Sequence, residues 1–278
     1  MGAIIKAVTT SQVGKETSYL ESGSEAVRQC MEIALSDSET LDFLINAGIY
    51  PDANIHEPSF ASLIQGHLSK SHAAQLKGSF SFDLHNGGGG SLMALSILNG
   101  FIESGKIQHG MVVAGDSKPM DSQAGAVLIG MGGLHEGFQA FSQETYAQYT
   151  GEYESYSNYT GIELKTFISQ EDTYTDYCLQ CVGNSVENFL SDLGLRLAEI
   201  DLFISSQSPA GFVSGLSALF GTNRVMALSG EQPCYSAGLI LAMAQAHSEG
   251  TFSPSEKVMF INVGPGIIVD LALYVNPV

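Results

Sequence analysis

Ser81-Phe82-Asp83-Leu84-His85-Asn86-Gly87-Gly88-Gly89-Gly90-Ser91 decides the fold, because an apolar helical pattern runs on from it as far as Gly105. A strand ends here, four consecutive glycines turn the chain, and a buried helix begins. The first N–H groups of a helix have no intrahelical partner and point together, so a junction of this kind favours negative charge. Many enzymes seat a nucleophile at such a point. This turn carries no side chain at all. It is therefore a binding turn, a point of close packing, or an active site whose nucleophile is gone.

Outward from this junction the chain repeats itself. Residues 22–37 space their apolar side chains like a helix, and residues 41–45 read as a buried strand. The glycine turn lies between a strand over 79–85 and a helix over 91–104, with a further strand at 111–115. The second half answers with a helix over 174–194 and strands at 200–204 and 225–228. A helix over 235–248 and a strand at 258–262 complete the match. Each half closes on one more strand, at 124–129 and 267–274. Helices between buried strands imply βαβ crossovers and parallel sheets. The expectation is an α/β protein of two pseudo-repeated βαβαβ halves, residues 1–165 and 166–278. The turn at 86–90 should meet the turn at 229–234 and the strand end at 205–209. Residues 132–162 are the least periodic and are rich in Gly and Tyr, with Tyr146, Tyr149, Tyr153, Tyr156 and Tyr159. They read as an irregular lid, interface element or mobile connection.

Composition narrows the function. The chain has 278 residues, enough for a substantial core, and its 44% hydrophobic content is that of an ordinary soluble protein. Eleven basic against 29 acidic residues give a net charge of −18, which argues against nucleic acid and anionic membrane, since both need a cationic footprint. No apolar run reaches the roughly 18–20 residues of a membrane span. Met1-Gly2-Ala3-Ile4-Ile5-Lys6 is too short in apolar residues for a secretory signal, and Lys6 spoils a myristoylation motif. The four cysteines Cys30, Cys178, Cys181 and Cys234 make no secreted disulfide framework. Cys178 and Cys181 have redox or half-zinc spacing, but they lie in a helical pattern with no second Cys/His pair nearby and read as structural thiols. A cytoplasmic protein without metal or cofactor is expected.

The junction and the elements after it resemble the thiolase superfamily, and within it the β-ketoacyl-ACP synthase III branch. That branch reads Phe-Asp-Ile-Asn-Ala-Ala-Cys-Ser-Gly before its central helix, matched here by Phe82 to Gly90. Phe101-Ile102-Glu103-Ser104-Gly105-Lys106 is similar to the end of the family's helix. Val112-Val113-Ala114-Gly115-Asp116 and Gln123-Ala124-Gly125-Ala126-Val127-Leu128-Ile129 echo its next two strands. Gly264-Pro265-Gly266-Ile267-Ile268 matches its terminal Gly-x-Gly. The resemblance runs from about residue 22 to the end and implies a thiolase-like, layered αβαβα fold.

The family's chemistry is not implied with it. The resemblance puts Gly88 where the family has its acylated cysteine, Ser206 in place of its histidine, and Glu231 in place of its asparagine. Glycine cannot form a thioester, serine lacks the imidazole donor, and a carboxylate repels the enolate that the amide would stabilise. The family also carries a long segment between its first strand and first helix that helps wall the acyl tunnel. Only about twenty residues precede the first helix here. Cys234, His85 and Ser91 are weaker candidates for a replacement nucleophile or base; their plainer roles are a structural thiol, an interface histidine and a helix-start residue. Gly87, Gly88 and Gly89, with Gly264 and Gly266, could form an oxyanion or ligand turn. In this fold the strand before the central helix meets its counterpart in a partner, so Phe80, Ser81, Phe82 and Asp83 are interface candidates. Positions 79, 81 and 83 are expected to point outward.

The expected role is a non-catalytic subunit paired with an intact ketosynthase III-like enzyme, or a homodimer, in fatty-acyl or polyketide-type metabolism. An acyltransferase or hydrolase working without the cysteine, and a small-molecule binding protein, are the alternatives.

Overall fold

The computed structural model describes residues 2–12, 18–55, 57–117, 123–160, 163–229 and 234–277. The first half runs β1 (Ala3–Gln12), α1 (Tyr19–Ala34), β2 (Phe43–Asn46), α2 (Phe60–Leu68), β3 (Phe80–Asp83), α3 (Gly90–Glu103), β4 (His109–Ala114) and β5 (Gln123–Met131). The second runs β6 (Gly137–Thr145), β7 (Tyr153–Thr160), β8 (Glu163–Gln170), α4 (Tyr174–Asp192), β9 (Leu202–Ser205), α5 (Phe212–Phe220), β10 (Val225–Met226), α6 (Gly238–Ser248), β11 (Lys257–Gly264) and β12 (Ile268–Val275).

The strand orders are β1-β5-β4-β2-β3 and β6-β12-β11-β9-β10, which correspond strand for strand. In each sheet three adjacent strands pair in parallel, β4-β2-β3 and β11-β9-β10, and the other two add by antiparallel pairing, β5 then β1 and β12 then β6. This is the repeat expected from the sequence, with α2 and α5 added to it.

Burial on both faces explains the near-continuous apolar strands. In β4, Met111 and Val113 face α1 and α2, whereas Val112 and Ala114 face the layer between the sheets. That middle layer holds Leu92, Leu95 and Leu98 of α3 together with Leu239, Ile240 and Met243 of α6. Beyond the second sheet, Cys178, Val182, Phe212 and Leu216 of α4 and α5 pack on Phe203, Met259 and Ile261. The five layers are therefore αβαβα, with one helix from each half at the centre.

The stretch at 132–162 differs from expectation. It holds the whole of β6, which pairs with β12, and β7, which pairs with β8 in a separate two-stranded hairpin. The β6 alternation is hidden by a bulge opposite Leu273 and Tyr274, so that Phe138 and Phe141, three residues apart, both reach the middle layer. The chain passes between sheets at residues 131–137, ahead of position 165. At that passage Gly137 pairs with Val275, and its φ of +81° packs it so closely on Ala3 that a Cβ would overlap the Ala3 carbonyl.

Candidate functional site

The glycines of the turn differ in how closely their surroundings pack on them. Gly87 has φ +51°, and a Cβ there would overlap the ring of Pro265. A Cβ on Gly89 would lie 2.9 Å from Asp270 Oδ2 and 3.1 Å from Asn86 Nδ2. On Gly90 it would lie 3.2 Å from the Leu84 carbonyl and 3.3 Å from Ala47 Cβ. Gly88 is the exception, meeting only the Val263 carbonyl, at 3.3 Å. The N–H of Gly89 donates to Asn86 O at 2.9 Å and that of Gly90 to Gly87 O at 3.3 Å, so two turn N–H groups serve the turn itself. Gly89 caps α3 without any side-chain hydrogen bond.

Strand β11 joins the turn to the second half. A Cβ on Gly264 would lie 3.0 Å from Asn86 O. Ser206, just past β9, donates its N–H to Ile261 O at 2.9 Å, and its Oγ accepts the Val263 N–H at 3.3 Å. Gly88 and Ser206 thus meet the same residue, Val263, one at its carbonyl and the other at its N–H. Glu231 lies outside the described residues. Gly266, at φ +74°, has only the Thr150 methyl nearby, 3.6 Å from its Cβ position.

The alternative nucleophiles fall in different surroundings. Ser91 is buried at the start of α3, and its Oγ donates to Ser236 O at 3.3 Å, tying α3 to the start of α6. Asp116, fully buried, accepts Ser236 N–H at 3.2 Å on one oxygen, and Ile49 and Tyr50 N–H at 2.6 and 2.7 Å on the other. Cys234 is partly buried, with Sγ 3.3 Å from the Cβ position of Gly238. His85 is exposed and makes no hydrogen bond among the described residues. Cys178 and Cys181 are buried in α4, where desolvation pushes their thiols up to about 12 and about 11. A thiol so shifted is not a ready nucleophile.

Two features escaped the sequence. Tyr50, Tyr153, Tyr174 and Tyr235 form a ring cluster, with centroids 5.7 Å apart for Tyr50–Tyr235, 6.5 Å for Tyr153–Tyr235 and 5.4 Å for Tyr153–Tyr174. Burial raises the phenols of Tyr50, Tyr174 and Tyr235, and Tyr174 donates to Gly264 O at 3.5 Å, so the cluster adjoins the glycine turn. The richness in tyrosine between 146 and 159 was the available signal. The second feature is Asp270, 4% exposed on β12, which pairs across the sheet with fully buried Asn262. Its Oδ1 accepts from Gln143 Nε2 at 2.6 Å, and burial pushes the carboxyl up to about 6. Asp270 Oδ2, Asn86 Nδ2 and both amide atoms of Asn262 find no partner among the described residues. An aspartate in the apolar run Ile267-Ile268-Val269-Asp270-Leu271 was its signal.

Strand β3 is the edge of its sheet. Phe80 is 58% exposed and Phe101 38%, and with Phe82 they surround Phe43 at 5.0–6.4 Å. The expectation that 81 and 83 point outward fails. Ser81 Oγ donates to Gln65 Oε1 at 2.7 Å, and Asp83 accepts the N–H of Phe60 and Ala61 at 2.7 and 2.8 Å. Both side chains face α2, and the Asp83 carboxylate satisfies the unpaired N–H groups of its first turn. The Ser79 hydroxyl is buried as well.

The layered architecture is the thiolase-like fold, in its 3-oxoacyl-ACP synthase III form. The synthase from Aquifex aeolicus VF5 superposes with a TM-score of 0.83 at 17% identity, covering 99% of this chain and 100% of that one. FabH from Pseudomonas aeruginosa PAO1 gives 0.79 at 15%, covering 100% and 99%. OleA from Xanthomonas campestris gives 0.80 at 14%, covering 99% and 98%. In sequence the chain is 24% identical over 234 residues to β-ketoacyl-[acyl-carrier-protein] synthase III of Streptococcus pneumoniae (strain 70585), 76% of this chain and 69% of that protein. No family model matches the chain. No helix among the described residues is long and apolar enough to cross a membrane.

Proposed function

We propose that the chain is a non-catalytic, ketosynthase III-like subunit of the cytoplasm that pairs with a catalytically intact condensing enzyme in fatty-acyl or polyketide-type secondary metabolism. The observation that carries this reading is Gly88. It stands where the resemblance places the acylated cysteine, and a Cβ there would meet a single neighbour, the Val263 carbonyl at 3.3 Å. The backbone that presents a nucleophile is kept and the nucleophile is not. Ser206 supplies no imidazole, and its Oγ is bonded to Val263 N–H. The open edge of β3, with exposed Phe80, supports an interface there.

Intact-mass spectrometry after incubation with acyl-CoA or acyl-ACP tests the loss of chemistry. No adduct is expected on the wild-type chain. Gly88→Cys should take up an acyl group slowly, yet form no carbon–carbon bond. A stoichiometric wild-type adduct on Cys234 or Ser91 would overturn the proposal in favour of an acyltransferase. Co-expression with an intact ketosynthase from the neighbouring reading frame should yield a stable complex, and failure to associate would count equally against it.

A further inference from the structure

We propose that the groove between α4 and α5, on the outer face of the second half, docks a basic amphipathic helix of a partner protein. The partner's apolar side chains fill the groove and its cations meet the carboxylates beside it. The two helices run side by side. At Gly215 a Cβ would overlap Leu179, whereas one turn further along both helices a Cβ on Gly183 would only touch Leu219, at 3.4 Å. The groove starts there and has a volume of about 480 Å³. Val186 and Leu190 of α4 form its buried floor. The half-buried Leu195, Leu197 and Phe220 and the 49% exposed Leu219 form its walls. Its polar lining is Glu187 and Ser191.

Charge selects the occupant. The helix α4 carries Asp176, Glu187 and Asp192 and no Lys or Arg, and α5 carries no charged residue. Arg196, in the turn that follows α4, is bonded to Glu199 at 3.0 Å. Arg224 donates to Thr222 Oγ1 at 3.0 Å, with its guanidinium over the Phe203 ring. Glu187 also lines a second depression, of about 570 Å³, together with Glu144, Asn184 and Asn188. There Glu144 Oε2 accepts from Ser185 Oγ at 2.5 Å and Tyr146 Oη at 2.7 Å, hydrogen bonds that hold its carboxyl below the ordinary glutamate value. No Lys, Arg or His among the described residues lines either depression. An apolar groove and an anionic one thus meet at Glu187.

A second copy would bring the same three carboxylates of α4, and a further net charge of −18, against this face. A fatty acid or an acidic carrier protein would meet like charge as well. A helix with Leu or Phe at every third or fourth position fills the groove, and its Lys or Arg side chains reach Glu187 and Glu144. The floor runs from Gly183 to Leu190, roughly 10 Å of helix, so two to three turns of the partner cover it. The carboxylates at the rim select the partner and speed its approach more than they add affinity. Since α4 and α5 cover the second sheet and β3 edges the first, this inference stands apart from the proposed subunit pairing.

Fluorescence anisotropy with a fluorescein-labelled leucine–lysine peptide of about 14 residues, patterned as an amphipathic helix, tests the surface. The comparison probes are the same peptide with Glu for Lys and a scrambled peptide of the same composition. The leucine–lysine peptide should bind one per chain, at least tenfold more tightly than either. Its affinity should fall about fivefold when salt is raised from about 50 to about 300 mM. Leu219→Gln should weaken binding at least fivefold. Glu187→Lys should do the same while strengthening the binding of the Glu peptide. Glu103→Lys, at the exposed end of α3, makes the same change in net charge and should leave the affinity within twofold. Far-UV circular dichroism confirms the fold of each variant, and Leu219→Met, which keeps an apolar wall, should bind as the wild type does. Absence of saturable binding, equal binding of either comparison peptide, indifference to Leu219→Gln or Glu187→Lys, or an equal loss in Glu103→Lys would overturn the proposal. So would a dimer in sedimentation velocity that Leu219→Gln dissociates, which would give the groove to a second copy.

Discussion

Single residues around the glycine turn differ sharply in what they tolerate. Gly87→Ala forces a side chain into the left-handed region and into the Pro265 ring, and a loss of roughly 2–4 kcal/mol is expected. Gly88→Ala needs the Val263 carbonyl to yield by a few tenths of an ångström and should cost no more than about 1 kcal/mol. Urea unfolding of the two variants checks the contrast, and equal losses would mean that the turn is misdescribed. Asp270 gives a pH dependence of known sign. Its folded-state carboxyl at about 6 lies above the ordinary aspartate value of 3.8, so the folded protein binds more protons than the unfolded chain between those pH values. Stability therefore falls as pH rises through that window. Asp270→Asn should be more stable than wild type by roughly 2–3 kcal/mol at pH 7.5, with the gap closing near pH 4. Thermal unfolding at the two pH values measures the difference, in which the effect of the remaining carboxylates cancels. A gap independent of pH would exclude a shifted Asp270.

Among the elements, β3 is the one on which the proposed interface rests. Phe80 is its most exposed large side chain, whereas Ser81 and Asp83 are committed to α2. Phe80→Arg is therefore the clean probe, and it should convert a dimer, with itself or with a partner, to monomers without changing far-UV circular dichroism. Sedimentation velocity reads the outcome, and an unmodified protein that is monomeric both alone and with its partner would remove β3 from any interface. The elements buried on both faces were plain in the sequence, because β4, β5, β9 and β11 read as short apolar runs between helical patterns. Those that were missed have a physical reason. In β6 the bulge at Gln139 breaks the two-residue period, and β7 and β8 expose Tyr156, Phe167 and Ile168 instead of burying one face. At the candidate site, Gly88 and Ser206 were legible because motif and spacing marked them. Asp270, Asn262 and Asn86 were not, since nothing local in a sequence says that three side chains from two halves share one buried space.

Across the whole molecule, matching strand orders put α3 and α6 back to back, so each half covers one side of a layer it cannot complete alone. The Ser91–Ser236 bond ties the two central helix starts together, and the buried Asp116 carboxylate holds Ser236 to the backbone of Ile49 and Tyr50. The surface is far less balanced. With 11 basic residues against 29 acidic, few ion pairs are available, and those of Arg28 with Glu25 and Glu32 are half-exposed and contribute little. Cohesion rests on the three apolar layers and on carboxylates that accept backbone N–H groups, Asp83 and Asp116 among them.

The passage from one sheet to the other has a consequence for how the chain can be cut. Gly137 lies against Ala3 and pairs with Val275, so the first strand, the last strand and the crossing between halves meet at one place. A short linker from Val275 to Ala3, with new ends opened at 132–136, would exchange the order of the halves while preserving every strand pairing. The molecule is in this sense a closed ring of sixteen principal strands and helices in two matching arcs, with the small hairpin of β7 and β8 set aside, and the same packing is compatible with the halves in either order.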